Sequence, residues 1–220
     1  HLGNLVQGLT SERMAHQSGG VLFLRVEDTD AKREVPGAVE VLINTLKHYG
    51  IQFDEGATID GDCGEYGPYR QRQRAAIYHV YAKKLVSEGQ AYPCFCTEEE
   101  LAAMREQQEA NKETTGYYGK YAMWRDRSLE EIQAQLTAGN PWVLRFRSTS
   151  SIENQFKFDD LVKGKLTITE NEVDHVLLKS DGIPTYHFAH AVDDHLMRTT
   201  HVVRGDEWLP TLPFHIQLFK

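Results

Sequence analysis

The chain has 220 residues, of which 40% are apolar and 25% charged, enough for one large or two small domains and too apolar for a disordered segment. Its mean hydropathy is −0.50, and no window approaches the about 18 consecutive apolar residues of a membrane-spanning helix. Twenty-four Lys and Arg against 32 Asp and Glu leave a net charge of −8, which argues against coating nucleic acid by bulk charge but leaves room for a local basic groove.

The chain opens His1-Leu2-Gly3-Asn4 in mid-pattern and reads as a piece of a longer protein. A glycine beside a helix start would let a phosphate approach backbone N–H groups, with the imidazole as an extra donor; a loop histidine is the plainer alternative. Gly20 to Val26 is a short apolar run with the form of a strand buried on both faces of a parallel sheet. It stops at Glu27-Asp28-Thr29-Asp30, where the carboxylates suit an ammonium or a metal-nucleotide site, or else a solvated loop with a helix cap. Val39, Leu42, Ile43, Leu46 and Tyr49 then recur at helical spacing, with Gly50 placed as a C-cap. A second helix should carry Ile77, Val80, Tyr81 and Leu85 on one face, and a third should start at Thr97 with a capping box to Glu100.

From about Gly89 to Asp181 the texture changes to a polar helix (Glu98 to Lys112), a Gly-Tyr turn and strand-like pieces at Trp142 to Phe146 and Lys165 to Ile168, as expected of an inserted module. After Gly182-Ile183-Pro184 an apolar, β-rich texture returns, with His201-Val202-Val203 as a candidate strand. The next residues include Arg204, Glu207 and Trp208: a carboxylate clamp and a purine platform, or equally a surface ion pair and a core Trp. Asp193-Asp194-His195 points its side chains in different directions, so helix capping and local hydrogen bonding are expected rather than a metal site. Cys94 and Cys96 form at most half a zinc site, with no later cysteine to complete it. The three cysteines, Cys63 included, are too few for a disulfide framework and favour a reducing cytoplasm.

In this order the motifs resemble the catalytic domain of the class I aminoacyl-tRNA synthetases, in the bacterial glutamyl branch. The resemblance rests on His1-Leu2-Gly3-Asn4, Leu24-Arg25-Val26-Glu27-Asp28-Thr29-Asp30, Tyr66 to Gln71, Ala91 to Cys96, Gly182 to Ala189 and Asp193 to Trp208, and covers essentially the whole chain. It implies an α/β fold: a Rossmann-like doubly wound parallel sheet in two halves, residues 1–88 and 182–220, interrupted by an α+β acceptor-stem-binding module at 89–181. It implies a ligase that joins L-glutamate to the 3′ end of tRNA(Glu), with tRNA(Gln) left open as a second acceptor, through a glutamyl-adenylate made from ATP with Mg2+. His1, Gly3 and Asn4 would form the catalytic signature, with His1, Gly3, Glu207 and Trp208 on ATP. Glu27, Tyr186, His190 and Arg204 would hold glutamate, Glu27 on its ammonium and Arg204 on its side-chain carboxylate. His190 stands where many relatives use asparagine, and Trp124 where zinc-bearing members have a cysteine, so no bound zinc is expected. Arg145, Arg147, Lys157, Lys163 and Lys165 would give the module its positive charge. A cytoplasmic monomer is expected. The family's lysine-serine loop and its first strand are not in this stretch. Two other readings stay open: a paralogue that glutamylates queuosine in tRNA(Asp), and a non-catalytic tRNA-binding relative.

Overall fold

A computed structural model describes residues 2–29 and 35–220. The chain divides into two compact units, one of residues 1–78 with 189–210 and one of residues 79–188 with 211–220.

In the first unit, helix α1 (Leu2–Gln17) leads to strand β1 (Phe23–Leu24), helix α2 (Ala38–His48) and strand β2 (Glu55–Ala57), which lies parallel to β1. This strand–helix–strand unit is the α/β element that the sequence foretold. Gly56 sits at φ 121°, and a Cβ there would collide with the Leu24 backbone, so the close approach of β2 to β1 requires glycine. On α2, Val39, Leu42 and Ile43 are half-buried and Leu46 buried, as spaced; Tyr49 remains exposed. Gly50 at φ 76° ends the helix, with Gly50 N–H bonded to Lys47 O and Ile51 N–H to Leu46 O, both at 3.0 Å. An antiparallel β3 (Asp62–Cys63) follows β2, and Val26 makes a parallel bridge to Arg70. The apolar run before Glu27 is half-buried rather than buried on both faces, with Val21 exposed.

The chain enters this unit again through helix α6 (Tyr186–Leu196). The β-rich expectation for this stretch is therefore corrected: Ala189, Ala191 and Val192 are buried in a helix. Five of its eleven residues, His187, His190, Asp193, Asp194 and His195, are polar, and the spacing of His187, His190 and Asp194 fits a helical period that the apolar texture around them obscured. His201-Val202-Val203 is not a strand either. Val203 O accepts from the Gln7 side-chain amide at 2.9 Å, and no ladder forms there among the described residues.

The second unit holds most of helix α3 (Ala75–Ser87), strand β4 (Ala91–Cys94), helices α4 (Glu98–Ala110) and α5 (Leu129–Thr137), strands β5 (Val143–Phe146), β6 (Gln155–Asp160), β7 (Gly164–Thr169) and β8 (Val176–Leu178), and helix α7 (Leu212–Leu218). Strands β4, β5 and β8 form an antiparallel sheet, and β6 with β7 a separate hairpin. On α3 the buried positions are Tyr78 and Ala82, with Ile77, Tyr81 and Leu85 half-buried; Val80, expected on that face, is exposed. Thr97 and Glu100 make the expected capping box, and Ser128 with Glu131 makes a second one that opens α5. No helix among the described residues is long and apolar enough to cross a membrane.

Helix α1 is tied to the loop before β2 by His16, whose Nδ1 stands 3.0 Å from Glu12 Oε1 and whose Nε2 stands 2.9 Å from Asp54 Oδ2. The hydrogen bond to Asp54, then that to Glu12, raises the His16 pKa above its usual 6.5. Such a clamp is complete below about pH 6.5 and fades as pH rises through the folded-state value. The melting-temperature gap between the native protein and His16→Ala should thus be widest near pH 6 and close by about pH 9 in calorimetry.

Candidate amino-acid and nucleotide site

The first unit gathers its charge where β1 ends and α6 begins to pack. Alternation along the strand sends Arg25 and Glu27 to one side, and the helical turn brings His190, Asp193 and Asp194 to meet them. Arg25, whose side chain is 7% exposed, donates from Nη1 to Asp194 Oδ1 at 2.7 Å and from Nη2 to Glu27 Oε1 at 3.3 Å. The same Nη2 stands 3.0 Å from His190 Nδ1, and His190 Nε2 stands 3.0 Å from Asp194 Oδ2. Arg204 approaches Glu27 Oε1 with Nη2 at 3.5 Å while its guanidinium lies 5.3 Å over the Trp208 ring.

Burial pushes the Glu27 carboxyl up, but the neighbouring Arg25 and Arg204 guanidinium groups hold it below the usual carboxylate range. Burial likewise opposes the Arg25 charge, and Asp194 and Glu27 overcome it. The site keeps an ionised carboxylate between two cations beside a cavity of about 870 Å³, onto which Arg25, His190, Asp194 and Arg204 open. An amino acid with an acidic side chain matches this pairing: an anion for its ammonium and cations for its carboxylates.

Asp193 anchors the arrangement from beneath. Fully buried, it accepts from Arg74 Nε at 2.6 Å, Tyr78 OH at 2.7 Å and Gln71 Nε2 at 3.1 Å. Asp193 and Asp194 are therefore interior ion-pair partners of α6, which corrects the expectation of helix caps; His195 is exposed. Neither aspartate, nor Arg25 or Arg74, was marked as a site residue by sequence. The available signal was two consecutive acids beside the apolar Ala191 and Val192, a placement that requires buried partners.

Of the residues expected in the catalytic signature, Gly3 and Asn4 lie in the first turn of α1, and His1 lies outside the described residues. Glu207 and Trp208 fall in a short 3-10 helix, Asp206–Thr211, in the same unit. Tyr186, the first residue of α6, belongs to the second unit. Asp28 turns away from the acidic cluster, its Oδ1 accepting from Arg72 N–H at 2.8 Å, and Asp30 lies outside the described residues.

The basic positions of the second unit separate into two groups. Arg145 is buried, donating to Asp174 O at 2.9 Å with its guanidinium 4.0 Å over the Tyr117 ring. Arg147 is paired with Asp126 at 2.7 Å. These two arginines are spent on packing, whereas Lys157, Lys163 and Lys165 are exposed on the β6–β7 hairpin. The Cys94 and Cys96 sulfurs stand 3.5 and 3.4 Å from Tyr117 OH, which accepts from Trp124 N–H at 2.9 Å. A hydrogen bond from Cys96 draws the Cys94 thiol down to about 5 against the pull of burial. No three metal-ligating residues gather among the described residues.

Residues 1–220 match the family model for the catalytic domain of tRNA synthetases class I (E and Q). The chain belongs to this family. It is 57% identical over 219 residues to a glutamate–tRNA ligase of Acetivibrio thermocellus and 53% identical over 221 residues to one of Clostridium beijerinckii. In both cases it aligns over its whole length with 40% of the relative. It superposes over its full length on 44% of a crystal structure of a glutamate tRNA ligase from Elizabethkingia meningosepticum in complex with its amino acid, with a TM-score of 0.88 and 37% identity. The α/β catalytic-domain fold of the class I synthetases is thus the fold of this chain.

Removing the Asp193 carboxylate from this synthetase domain would leave Arg74 buried without its charge partner. Asp193→Ala should lower the unfolding free energy by about 3–5 kcal/mol in urea titrations. A loss below about 1 kcal/mol would mean that the buried pair does not organise α6.

Proposed function

We propose that the protein containing this chain is a glutamate–tRNA ligase. The carrying observation is the Glu27 carboxylate, held ionised between Arg25 and Arg204 in a domain that matches this family from end to end. In this reading Glu27 takes the α-ammonium of L-glutamate and Arg204 its side-chain carboxylate, with His190 beside them, and Tyr186 keeps the glutamate-binding role that the resemblance gives it. A guanidinium set against that carboxylate disfavours glutamine, whose neutral amide leaves the charge unmatched in a partly desolvated site.

The α-carboxylate of glutamate attacks the α-phosphorus of Mg-ATP, forming the mixed anhydride glutamyl-adenylate and expelling pyrophosphate. A ribose hydroxyl at the 3′ end of tRNA then takes the glutamyl group and AMP leaves. No protein nucleophile is needed, so catalysis rests on alignment and on charge beside the transferring phosphoryl oxygens. Gly3 and Asn4 in the first turn of α1, with His1 preceding them in the sequence, receive the phosphates, and Glu207 and Trp208 flank the nucleotide. Residues 1–88 and 182–220 form the catalytic domain and 89–181 the acceptor-stem module, with tRNA(Glu) or tRNA(Gln) held through lysines such as Lys157, Lys163 and Lys165. No zinc is required in this reading, since Trp124 offers no lone pair beside Cys94 and Cys96. The free thiols of Cys63, Cys94 and Cys96 support a reducing, cytoplasmic setting.

The test is glutamate-dependent exchange of pyrophosphate into ATP by the full-length protein, with and without tRNA. Exchange that requires glutamate is expected, followed by esterification of the 3′ end of tRNA(Glu). Absence of exchange under both conditions defeats the enzyme reading, and transfer to a base of tRNA(Asp) instead would identify the queuosine paralogue. Arg204→Ala should lower kcat/KM for glutamate at least about a hundredfold with an unchanged circular dichroism spectrum. Normal glutamate use by that variant would refute the assignment of Arg204.

A further inference from the structure

Asp194 closes a ring that no single pairing in the site explains. Its Oδ1 accepts from Arg25 Nη1 at 2.7 Å, and its Oδ2 lies 3.0 Å from His190 Nε2. The other arm of the same guanidinium, Nη2, lies 3.0 Å from His190 Nδ1. A guanidinium has donors and no acceptor. The Nδ1 atom must therefore be the accepting nitrogen, and the imidazole proton sits on Nε2, donated to Asp194. Arg25 Nη2 also donates to Glu27 Oε1 at 3.3 Å, and that oxygen lies 3.8 Å from His190 Nδ1. One cationic nitrogen thus rests between a carboxylate oxygen and an imidazole lone pair that are close enough together to serve a single –NH3+.

We propose that Asp194 is a positioning residue for the amino-acid substrate: by holding Arg25 and the Nε2–H of His190, it fixes the Nδ1 lone pair beside Glu27 Oε1. These two acceptors receive the substrate's α-ammonium, which takes over the donor place of Arg25 Nη2. The proposal rests on the reading of Glu27 as the ammonium site. An imidazole left without the carboxylate is free to move its proton to Nδ1, where it would oppose an ammonium instead of accepting from it.

Calorimetric titration of the full-length protein with L-glutamate and with glutarate, which keeps both carboxylates and lacks the ammonium, isolates that contact. The native protein should prefer glutamate, and Asp194→Asn should reduce the ratio of the two dissociation constants at least tenfold. Equal weakening of both ligands, or of neither, overturns the role given to Asp194. Glu27→Gln should collapse the same ratio. If Glu27→Gln leaves the ratio intact, the site reading itself falls; if it collapses the ratio and a folded Asp194→Asn does not, only the present proposal falls. Nitrogen NMR of His190 in the unaltered protein needs no variant: a proton on Nε2 and none on Nδ1 is expected, and the opposite tautomer overturns the proposal.

Discussion

The side chains of Arg25 and Arg74 are 7% and 2% exposed, and a cation so placed is tolerated only when carboxylates and hydrogen bonds replace the water it has lost. Asp193 and Asp194, consecutive residues of α6, supply those carboxylates on two sides of the helix. Asp193 takes Arg74, Tyr78 and Gln71 and also lies 3.8 Å from Arg25 Nε. Asp194 faces the cavity with Arg25 and His190. The register of α6 against the end of β1 follows from these pairs, because a shift by one residue would strand a buried charge.

The same constraint explains why the site is charged where it is. The strand ends at Leu24, the alternation continues through Arg25 to Glu27, and the carboxylate remains ionised because cations surround it. The cleft pairs the carboxylates of Glu27 and Asp194 with the guanidinium groups of Arg25 and Arg204, so its charges are fixed in place by one another. The second unit solves a related problem differently: Asp174, with no exposure, is satisfied by Tyr92, Arg125 and the Ser148 N–H. Arg125 and Arg145 serve this packing, and Lys157, Lys163 and Lys165 carry exposed positive charge on the hairpin.

Much of this was legible in residue order. The α2 stripe ending at Gly50, the Thr97 capping box and the polarity after Leu24 are local patterns with local causes, and each takes the expected form. Glu27, His190 and Arg204 were read as site residues from motif order, and the fold brings these three together. Other features were missed. The helical period of α6, polar at His187, His190 and Asp194, was present and unread, and Asp193-Asp194 looked like caps because a sequence does not show which polar residues are buried. Arg145 looked like part of the module's exposed positive charge until the Tyr117 ring and the Asp174 carbonyl claimed it. The alternation of Phe156 and Phe158 with Lys157 and Asp159 did signal strand β6, and the Ser128–Glu131 pair signalled α5; both signals were present and unread.

By itself, then, the sequence determined the family, the α/β beginning and the kinds of side chain at the site, because motif order, capping and periodicity are properties of neighbouring residues. Only the tertiary structure decided which charges are partners. Arg25 and Asp194 are separated by 169 positions, and Arg74 and Asp193 by 119, and no local rule couples residues so far apart. Their pairing follows from burial, which makes an unmatched charge prohibitively costly and leaves α6 one register in which every charge is met.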